Sequence, residues 1–197
     1  MERCKVLVIY LGLCILSGCS DIGVPYTSDP NQKLAYAFRL INESRPIPAE
    51  RLIGEALEAF NVDGDKLGIA ESYRMYGFLF RCDGVTKFQK YFRDYGFRDK
   101  TATLDNRYMK SIEYFEKAKD LYTDNKMYGK LTNIYLNIGF TYELMNNPKA
   151  ACTAFDQSLD SNRELLKANP NTKIKLPSGY TSYEEFLKAN KRRVGCS

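Results

Sequence analysis

Small residues recur at regular intervals along this chain, and their spacing constrains the fold more than any other feature. One small residue stands out in each of six amphipathic stretches: Ala37, Ala49, Gly77, Ser111, Gly139 and Ala151. The steps between them are 12, 28, 34, 28 and 12 residues. Because small residues let two helices approach closely, this pattern predicts three helix pairs with a unit of 40 residues. The middle pair then carries an insertion of about 22 residues, at about 85–106.

From residue 30 onwards the chain is a series of amphipathic stretches, without the alternation of apolar and polar residues that predicts a strand. Asp29 before Pro30 is typical of a helix N-cap followed by proline in the first turn. Further helix breaks are predicted at 44–48, 63–65, 82–84 and 146–148. Thr181 and Glu184 have the spacing of a capping box, which predicts a last helix through about Lys191. The fold class is therefore predicted to be all-α.

The third pair resembles a tetratricopeptide repeat (TPR), a helix pair with small and aromatic residues at set positions. The matching residues are Tyr135, Ile138, Gly139, Tyr142, Ala151, Phe155, Ser158 and Leu159. The insertion splits a second copy into 73–80 and 111–121, and a weaker copy covers 36–57. The resemblance implies a right-handed α-hairpin solenoid of about three TPR-like repeats over residues 30–197, closed by a C-terminal capping helix. The usual TPR unit is about 34 residues, so the unit in this chain is longer.

The N-terminus has the pattern of an export signal. Arg3 and Lys5 precede an uncharged run over residues 6–15, which is shorter than the about 20 residues that span a bilayer. This order predicts a secretory signal peptide. The run Leu16-Ser17-Gly18-Cys19 resembles the lipobox of bacterial lipoproteins, which implies cleavage before Cys19 and lipid on its sulfur. The alternatives are an ordinary signal peptide that contains a cysteine, or a buried N-terminal helix.

By this resemblance, residues 1–18 are a cleaved signal peptide, and residues 19–29 are the lipidated cysteine and its tether. Eight flexible residues reach about 15 Å, so the folded part is expected to lie near the membrane. Ser20 rather than aspartate follows Cys19. In Gram-negative lipoproteins this implies the outer membrane, and a periplasm-facing location is expected.

Composition excludes several kinds of chemistry. The chain has no histidine, which excludes Ser-His-Asp and Cys-His catalysis and histidine-ligated metal sites. The sequence contains no Gly-rich phosphate loop, nucleophile elbow or metal-ligand cluster. We therefore expect no catalytic residues, no metal, no cofactor and no small-molecule substrate. The net charge of +5 is mild, and we expect no nucleic-acid partner.

The cysteines leave two possibilities. Cys82, Cys152 and Cys196 remain once the N-terminal ones are assigned to the signal and the lipid. One disulfide with one free thiol is possible in an oxidising compartment, and so are three unpaired thiols. Cys196 is close to the C-terminus and is the best placed to find a partner.

By the TPR resemblance, the first helix of each pair lines a concave groove. Phe38, Phe78 and Phe140 directly follow the small residue of those helices. They could form an apolar ladder for an amphipathic helix or an extended peptide, or they could pack within the chain. The candidate groove residues are Phe38, Arg74, Phe78, Arg81, Asn137 and Phe140. Of the carboxylate-clamp positions in tail-binding TPR proteins, Asn137 and Arg74 fit loosely.

The insertion has an apolar stripe of Val85, Phe88, Phe92 and Tyr95, interleaved with Lys87, Lys90 and Arg93. The stripe predicts either contact with anionic lipid or a partner, or a short helix that packs across its own repeat.

Together these features predict a lipid-anchored envelope scaffold or adaptor. It would bind envelope proteins or peptides through the groove, in the assembly of a pilus, secretion or other envelope complex. The alternatives are a membrane-surface module that binds anionic lipid through the insertion and residues 191–193, and an envelope enzyme with an unrecognised site.

Overall fold

The computed structural model describes residues 23–196, and this part of the chain forms nine helices and no strand. The helices are α1 (Pro30–Asn42), α2 (Pro46–Asp63), α3 (Lys66–Arg81), α4 (Asp83–Lys87), α5 (Gln89–Tyr95), α6 (Arg107–Asp124), α7 (Tyr128–Leu144), α8 (Pro148–Ala168) and α9 (Tyr183–Arg193). The all-α prediction is confirmed. The predicted signal peptide and Cys19 lie outside the described residues. Within residues 23–196 no helix combines the length and the apolar character needed to cross a bilayer.

Local signals set several helix boundaries where the sequence predicts them, although α2 begins at Pro46, inside the break predicted at 44–48. Asp29 caps α1 by accepting a hydrogen bond from the Asn31 amide at 2.8 Å. Gly64 has a positive φ of 66° at the end of α2, which glycine adopts without strain. Asp65 then caps α3, and Asn147 caps α8 before Pro148.

The helices pack in consecutive pairs. Helix α1 packs on α2, α3 on α6, and α7 on α8. Helices α2 and α6 also pack on the first helix of the following pair. The six small residues predicted at close approaches are all buried: Ala37, Ala49, Gly77, Ser111, Gly139 and Ala151. The spacing therefore identified six buried positions correctly.

The aromatic residues show why small residues are needed there. A Cβ atom on Gly77 would lie 2.5 Å from the buried ring of Phe115. A Cβ atom on Gly139 would overlap the ring of Phe155 in the same way. Each ring packs directly on the backbone of the partner helix, so the absence of a side chain opposite it is what allows the close approach.

The insertion packs on its own helix pair, as the second interpretation predicted, and also on the first pair: Phe97 contacts Phe80 of α3, and the Arg98 amide contacts Glu50 of α2. The stripe does not form one helix, because the chain bends at Phe88 between α4 and α5. Val85 and Phe92 are buried, whereas Phe88 is 42% exposed and Tyr95 is 71% exposed. A single apolar face over all four residues is therefore a wrong prediction. Only two of them join the core.

Two polar side chains fasten the insertion. Arg107 is buried and donates hydrogen bonds to the Phe80 and Cys82 carbonyl oxygens at the end of α3. Glu50 of α2 is 4% exposed and accepts a hydrogen bond from the Arg98 amide at 2.7 Å. Burial raises the pKa of Glu50 to about 7, although the Arg98 amide and nearby positive charges act to lower it.

A disulfide fastens the C-terminal helix. Cys152 of α8 is bonded to Cys196, with their Cα atoms 5.8 Å apart, and Cys82 is a free thiol. The alternative with three unpaired thiols is therefore wrong. Helix α9 packs on α8 through buried Leu187, and Lys191 contacts Asp156 at 2.6 Å.

The start of α9 corrects one prediction. Its N-cap is Ser182, which accepts a hydrogen bond from the Glu185 amide at 3.1 Å. Thr181 donates to the Glu185 carboxylate instead. Thr181 and Ser182 each have a glutamate three residues later, so the sequence contains two overlapping capping boxes. The structure uses the second one.

Candidate partner-binding cleft

The first helices of the three pairs line a common cleft with a volume of about 450 Å³. Helix α1, helix α3 with the residues after it, and the end of α7 form its walls. The lining residues are Phe38, Ile41, Asn42, Ser44, Phe78, Arg81, Cys82, Asp83 and Leu144. Three of the six predicted groove residues therefore line this one cleft: Phe38, Phe78 and Arg81.

An aromatic pair forms one wall of the cleft. The ring centroids of Phe38 and Phe78 are 5.7 Å apart, and Phe38 is 43% exposed. Phe78 is half-buried and packs edge-on against Phe115 at 5.3 Å. Phe78 therefore connects the exposed ring of Phe38 to the core of the second pair.

Arg81 is held at the floor of the cleft. Its guanidinium lies 5.3 Å from the centre of the Phe78 ring. It donates hydrogen bonds to the Asn137 carbonyl oxygen at 3.1 Å and to Asn137 Oδ1 at 2.5 Å. The Asn137 side chain is itself fixed, because it donates to the Asn133 carbonyl oxygen at 2.7 Å. Asn137 therefore acts as a positioning residue for Arg81 and does not line the cleft.

The charge of Arg81 has no carboxylate partner. Burial lowers the pKa of Arg81 to about 10, so it stays protonated at neutral pH. In the described part of the chain no carboxylate oxygen lies within 4.0 Å of its guanidinium. A partly buried cation bonded only to neutral oxygens favours a further acceptor or an anionic group.

Arg74 is neutralised, unlike Arg81. It also lies over the Phe78 ring, at 5.4 Å, but it donates two hydrogen bonds to Glu71 at 2.9 and 2.7 Å. Glu71 also accepts from Tyr122 at 2.7 Å and from Lys130. Burial acts to raise the pKa of Glu71, but Arg74 and these hydrogen bonds hold it below its ordinary value. Arg74 does not line the cleft, and through Glu71 it takes part in the contacts of α3 with α6 and α7.

Phe140 does not line the cleft with Phe38 and Phe78, and it packs within the chain, which was the alternative to the apolar ladder. Its ring packs edge-on against Phe155 at 5.5 Å, and the Arg193 guanidinium lies 5.8 Å from its centre. Arg193 also donates to Glu143 at 2.9 Å. Helix α9 covers the position that the repeat pattern made equivalent to Phe38 and Phe78.

Sequence reasoning missed Ile41, Cys82 and Leu144 as lining residues. Helical spacing could have found Leu144, which is four residues after Phe140 and 53% exposed. Ile41 is three residues after Phe38 and shares its face. Burial raises the pKa of the Cys82 thiol, so it is protonated and unreactive at neutral pH.

No protein-family model matches this chain, and neither a curated protein nor a solved structure does. The resemblances to TPR proteins and to lipoproteins therefore stay predictions. Within residues 23–196 no group of three or more Cys, Asp or Glu side chains is placed to hold a metal ion. The geometry and charge of the cleft are the basis for assigning a function.

Proposed function

We propose that this protein is a lipid-anchored scaffold of the bacterial envelope that binds a segment of a partner protein in the cleft. The partner segment would place an apolar side chain against Phe38 and Phe78 and an acceptor oxygen or carboxylate on Arg81. The proposed fold is a right-handed solenoid of about three TPR-like repeats, with α9 as its cap and lipid on Cys19.

The repeat assignment is supported by the packing order. Each helix pair packs on the next through its second helix, and α1 also packs on α3. The first helices α1 and α3 are therefore side by side, which is the arrangement that creates a concave face in α-hairpin solenoids. The envelope location is supported by the sequence before residue 23.

The observation that carries the binding proposal is the pairing of an exposed aromatic side chain with a fixed and uncompensated cation. Phe38 is 43% exposed, and Arg81 beside it is held by two hydrogen bonds to Asn137. A rigid aromatic residue next to an oriented arginine is typical of the few residues that dominate protein–protein affinity. Both groups are already ordered, so little entropy is lost on binding.

The test is crosslinking and pull-down from intact cells, comparing Phe38→Ala with Phe88→Ala. Phe88 is a matched control because it is 42% exposed and lies in the insertion, outside the cleft lining. We expect Phe38→Ala to weaken capture of a specific envelope protein by about 1–3 kcal/mol. The captured protein should then bind the purified native chain and the Phe88→Ala variant more tightly than the Phe38→Ala variant.

Equal loss in both variants, or no loss in either, would contradict the cleft as the binding site. Phe78→Ala is a poorer probe, because Phe78 packs on Phe115 and its truncation also disturbs the core.

A second candidate function is binding to anionic lipid through the insertion. Phe88 and Tyr95 are exposed there, and so are Lys87, Lys90 and Arg93. Exposed aromatic and basic side chains on one segment are typical of a membrane-surface contact. Salt-sensitive binding to liposomes with anionic lipid, lost in Phe88→Ala and kept in Phe38→Ala, would support this candidate over the scaffold.

A further inference from the structure

The wall that α7 contributes to the cleft continues along the helix to a part that α9 covers. Leu136, Phe140 and Leu144 are spaced by four residues, so they share one face of α7. Leu144 lines the cleft and is 53% exposed. Leu136 and Phe140 instead pack in the apolar cluster that contains Leu187 of α9. The same face of α7 is therefore open at one end and covered at the other.

Arg193, the last residue of α9, lies at the boundary between the open and the covered part. Its guanidinium is 5.8 Å from the centre of the Phe140 ring and donates a hydrogen bond to Glu143 at 2.9 Å. Glu143 directly precedes Leu144 of the cleft. The end of α9 therefore covers the ring that the helix-pair pattern makes equivalent to the exposed ring of Phe38.

The Cys152–Cys196 disulfide fixes this end of α9 on α8. The Cys196 amide donates a hydrogen bond to the Lys191 carbonyl oxygen at 2.9 Å, so the bonded cysteine is held against the last turn of α9. Both cysteines are half-buried, so the bond is not enclosed in the core. The bond that positions the end of α9 is therefore one that a thiol from solution can approach.

The remaining contacts at this end of α9 are weak. Leu187 and Asn190 are buried, and the other residues of α9 are half-buried or exposed. Lys191 contacts Asp156 at 2.6 Å, but the Asp156 side chain is 54% exposed, and exposed ion pairs contribute little to stability. An isolated helix of 11 residues is marginal in water. The disulfide is therefore the main restraint on the last turn of α9.

We propose that α9 is an autoinhibitory element, which the disulfide holds over Phe140 and which a dithiol reductant opens. The reductant's thiolate attacks the S–S bond, and its second thiol resolves the mixed disulfide. Two electrons and two protons thus pass to Cys152 and Cys196, which become thiols, and the reductant becomes a disulfide. The Tyr183 hydroxyl, 2.7 Å from the Ser158 hydroxyl, keeps the start of α9 attached while its end moves away.

Opening uncovers Phe140 and lengthens the cleft along α7. The gain in partner binding rests on the proposed function, whereas the movement of α9 does not. The two parts therefore need separate measurements.

The movement is tested with a fluorescent reporter. The chain has no tryptophan, so Phe140→Trp places a single indole under α9 in the full chain. Dithiothreitol should shift its emission to longer wavelength and raise acrylamide quenching by about twofold or more. Phe38→Trp is the matched control, because Phe38 lies in the open cleft, and it should not respond. No response of Phe140→Trp once the disulfide is reduced, or an equal response of both reporters from general unfolding, would overturn the proposal.

The autoinhibitory role is tested without a reductant. Cys196→Ser lacks the disulfide, whereas Cys82→Ser removes the free thiol and keeps the bond. The envelope protein captured through the cleft should bind Cys196→Ser about threefold or more tightly than Cys82→Ser, because a larger fraction of the chain is open. Equal binding would overturn the autoinhibitory role, although the loss of binding in Phe38→Ala would still support the cleft itself.

Discussion

The phenylalanine that follows the small residue of the first helix has opposite environments at the two ends of this molecule. In the first two pairs, Phe38 and Phe78 face an open cleft. In the third pair, Phe140 packs on Phe155 and lies under Arg193 of α9. The same sequence position is thus a candidate binding residue in one region and a docking point for the chain itself in the other. Position within a helix pair fixes which face a residue is on, and the next element decides whether that face is free.

The insertion and helix α9, the two elements outside the three helix pairs, are attached differently. The insertion is tied to α2 through the ionisable side chain of Glu50. Helix α9 is tied to α8 by the Cys152–Cys196 disulfide. One attachment should therefore respond to pH and the other to reduction, and variants can separate the two.

The largest expected effect tests the close contact between a glycine and an aromatic ring, which the second and third helix pairs share. Gly77→Ala and Gly139→Ala each force a Cβ atom into a buried aromatic ring. We expect each to lower the free energy of unfolding by about 3 kcal/mol, because neither ring has space to move. Gly129→Ala is the control, since its Cβ has room, and it should be neutral or slightly stabilising. Denaturant titration measures all three, and a mild effect at only one glycine would mean that the pairs do not pack alike.

Cys196→Ser should have the next largest effect, and it should act on the C-terminal region. The disulfide closes a loop with a sequence separation of 44 residues. Its loss should lower the free energy of unfolding by about 2–4 kcal/mol, because the unfolded chain gains conformational entropy when the loop is no longer closed. Amide exchange should rise in α9 first and leave α1 to α3 unchanged. Cys82→Ser is the matched control and should change little, and a similar loss in that variant would contradict the assignment.

The third effect is a pH dependence that belongs to the insertion. The pKa of Glu50 is raised from 4.5 to about 7 in the folded chain, so between these values the folded chain holds a proton that the unfolded chain has lost. The contribution of Glu50 to the free energy of unfolding is fully present below the pKa of the unfolded chain. It is lost as the pH rises through the pKa of the folded chain, and the total loss is roughly 3 kcal/mol.

Glu50→Gln should remove this dependence, because the amide stays neutral and keeps an acceptor for the Arg98 amide. Unfolding curves at about pH 5 and about pH 8 should show the variant more stable than the native chain only at the higher value. Glu164→Gln, at a half-exposed position on α8, should leave the pH profile unchanged. A profile that is identical in the native chain and in Glu50→Gln would show that Glu50 is not the group responsible.

The smallest effect separates the two phenylalanine environments directly. Phe38→Ala removes a ring that is 43% exposed and should lower the free energy of unfolding by less than about 1 kcal/mol. Phe140→Ala should cost about 2 kcal/mol, because the ring supports both Phe155 and α9. Thermal unfolding of the two variants side by side measures the difference. Equal costs would mean that Phe38 is part of the core and would weaken the case for the cleft.

Much of the fold is readable from local patterns. The caps at Asp29, Asp65 and Asn147 are formed by side chains two or three residues from the amides they bind. The small residues are readable because a close helix approach leaves no room for a larger side chain, whatever the rest of the chain does. The candidate cleft was predictable in part, because the face that carries Phe38 and Phe78 follows from helical periodicity.

Other features depend on which elements meet. The sequence alone offered equal reasons to expect a free Phe140 and a covered one, and the docking of α9 decided between them. The disulfide pairing and the raised pKa of Glu50 likewise arise between residues far apart in the chain. The sequence by itself determined the long helices, their pairing and the faces on which they meet, because those depend on the shape of neighbouring residues. Only the tertiary structure decided which face stays open, since burial and charge depend on what packs from elsewhere.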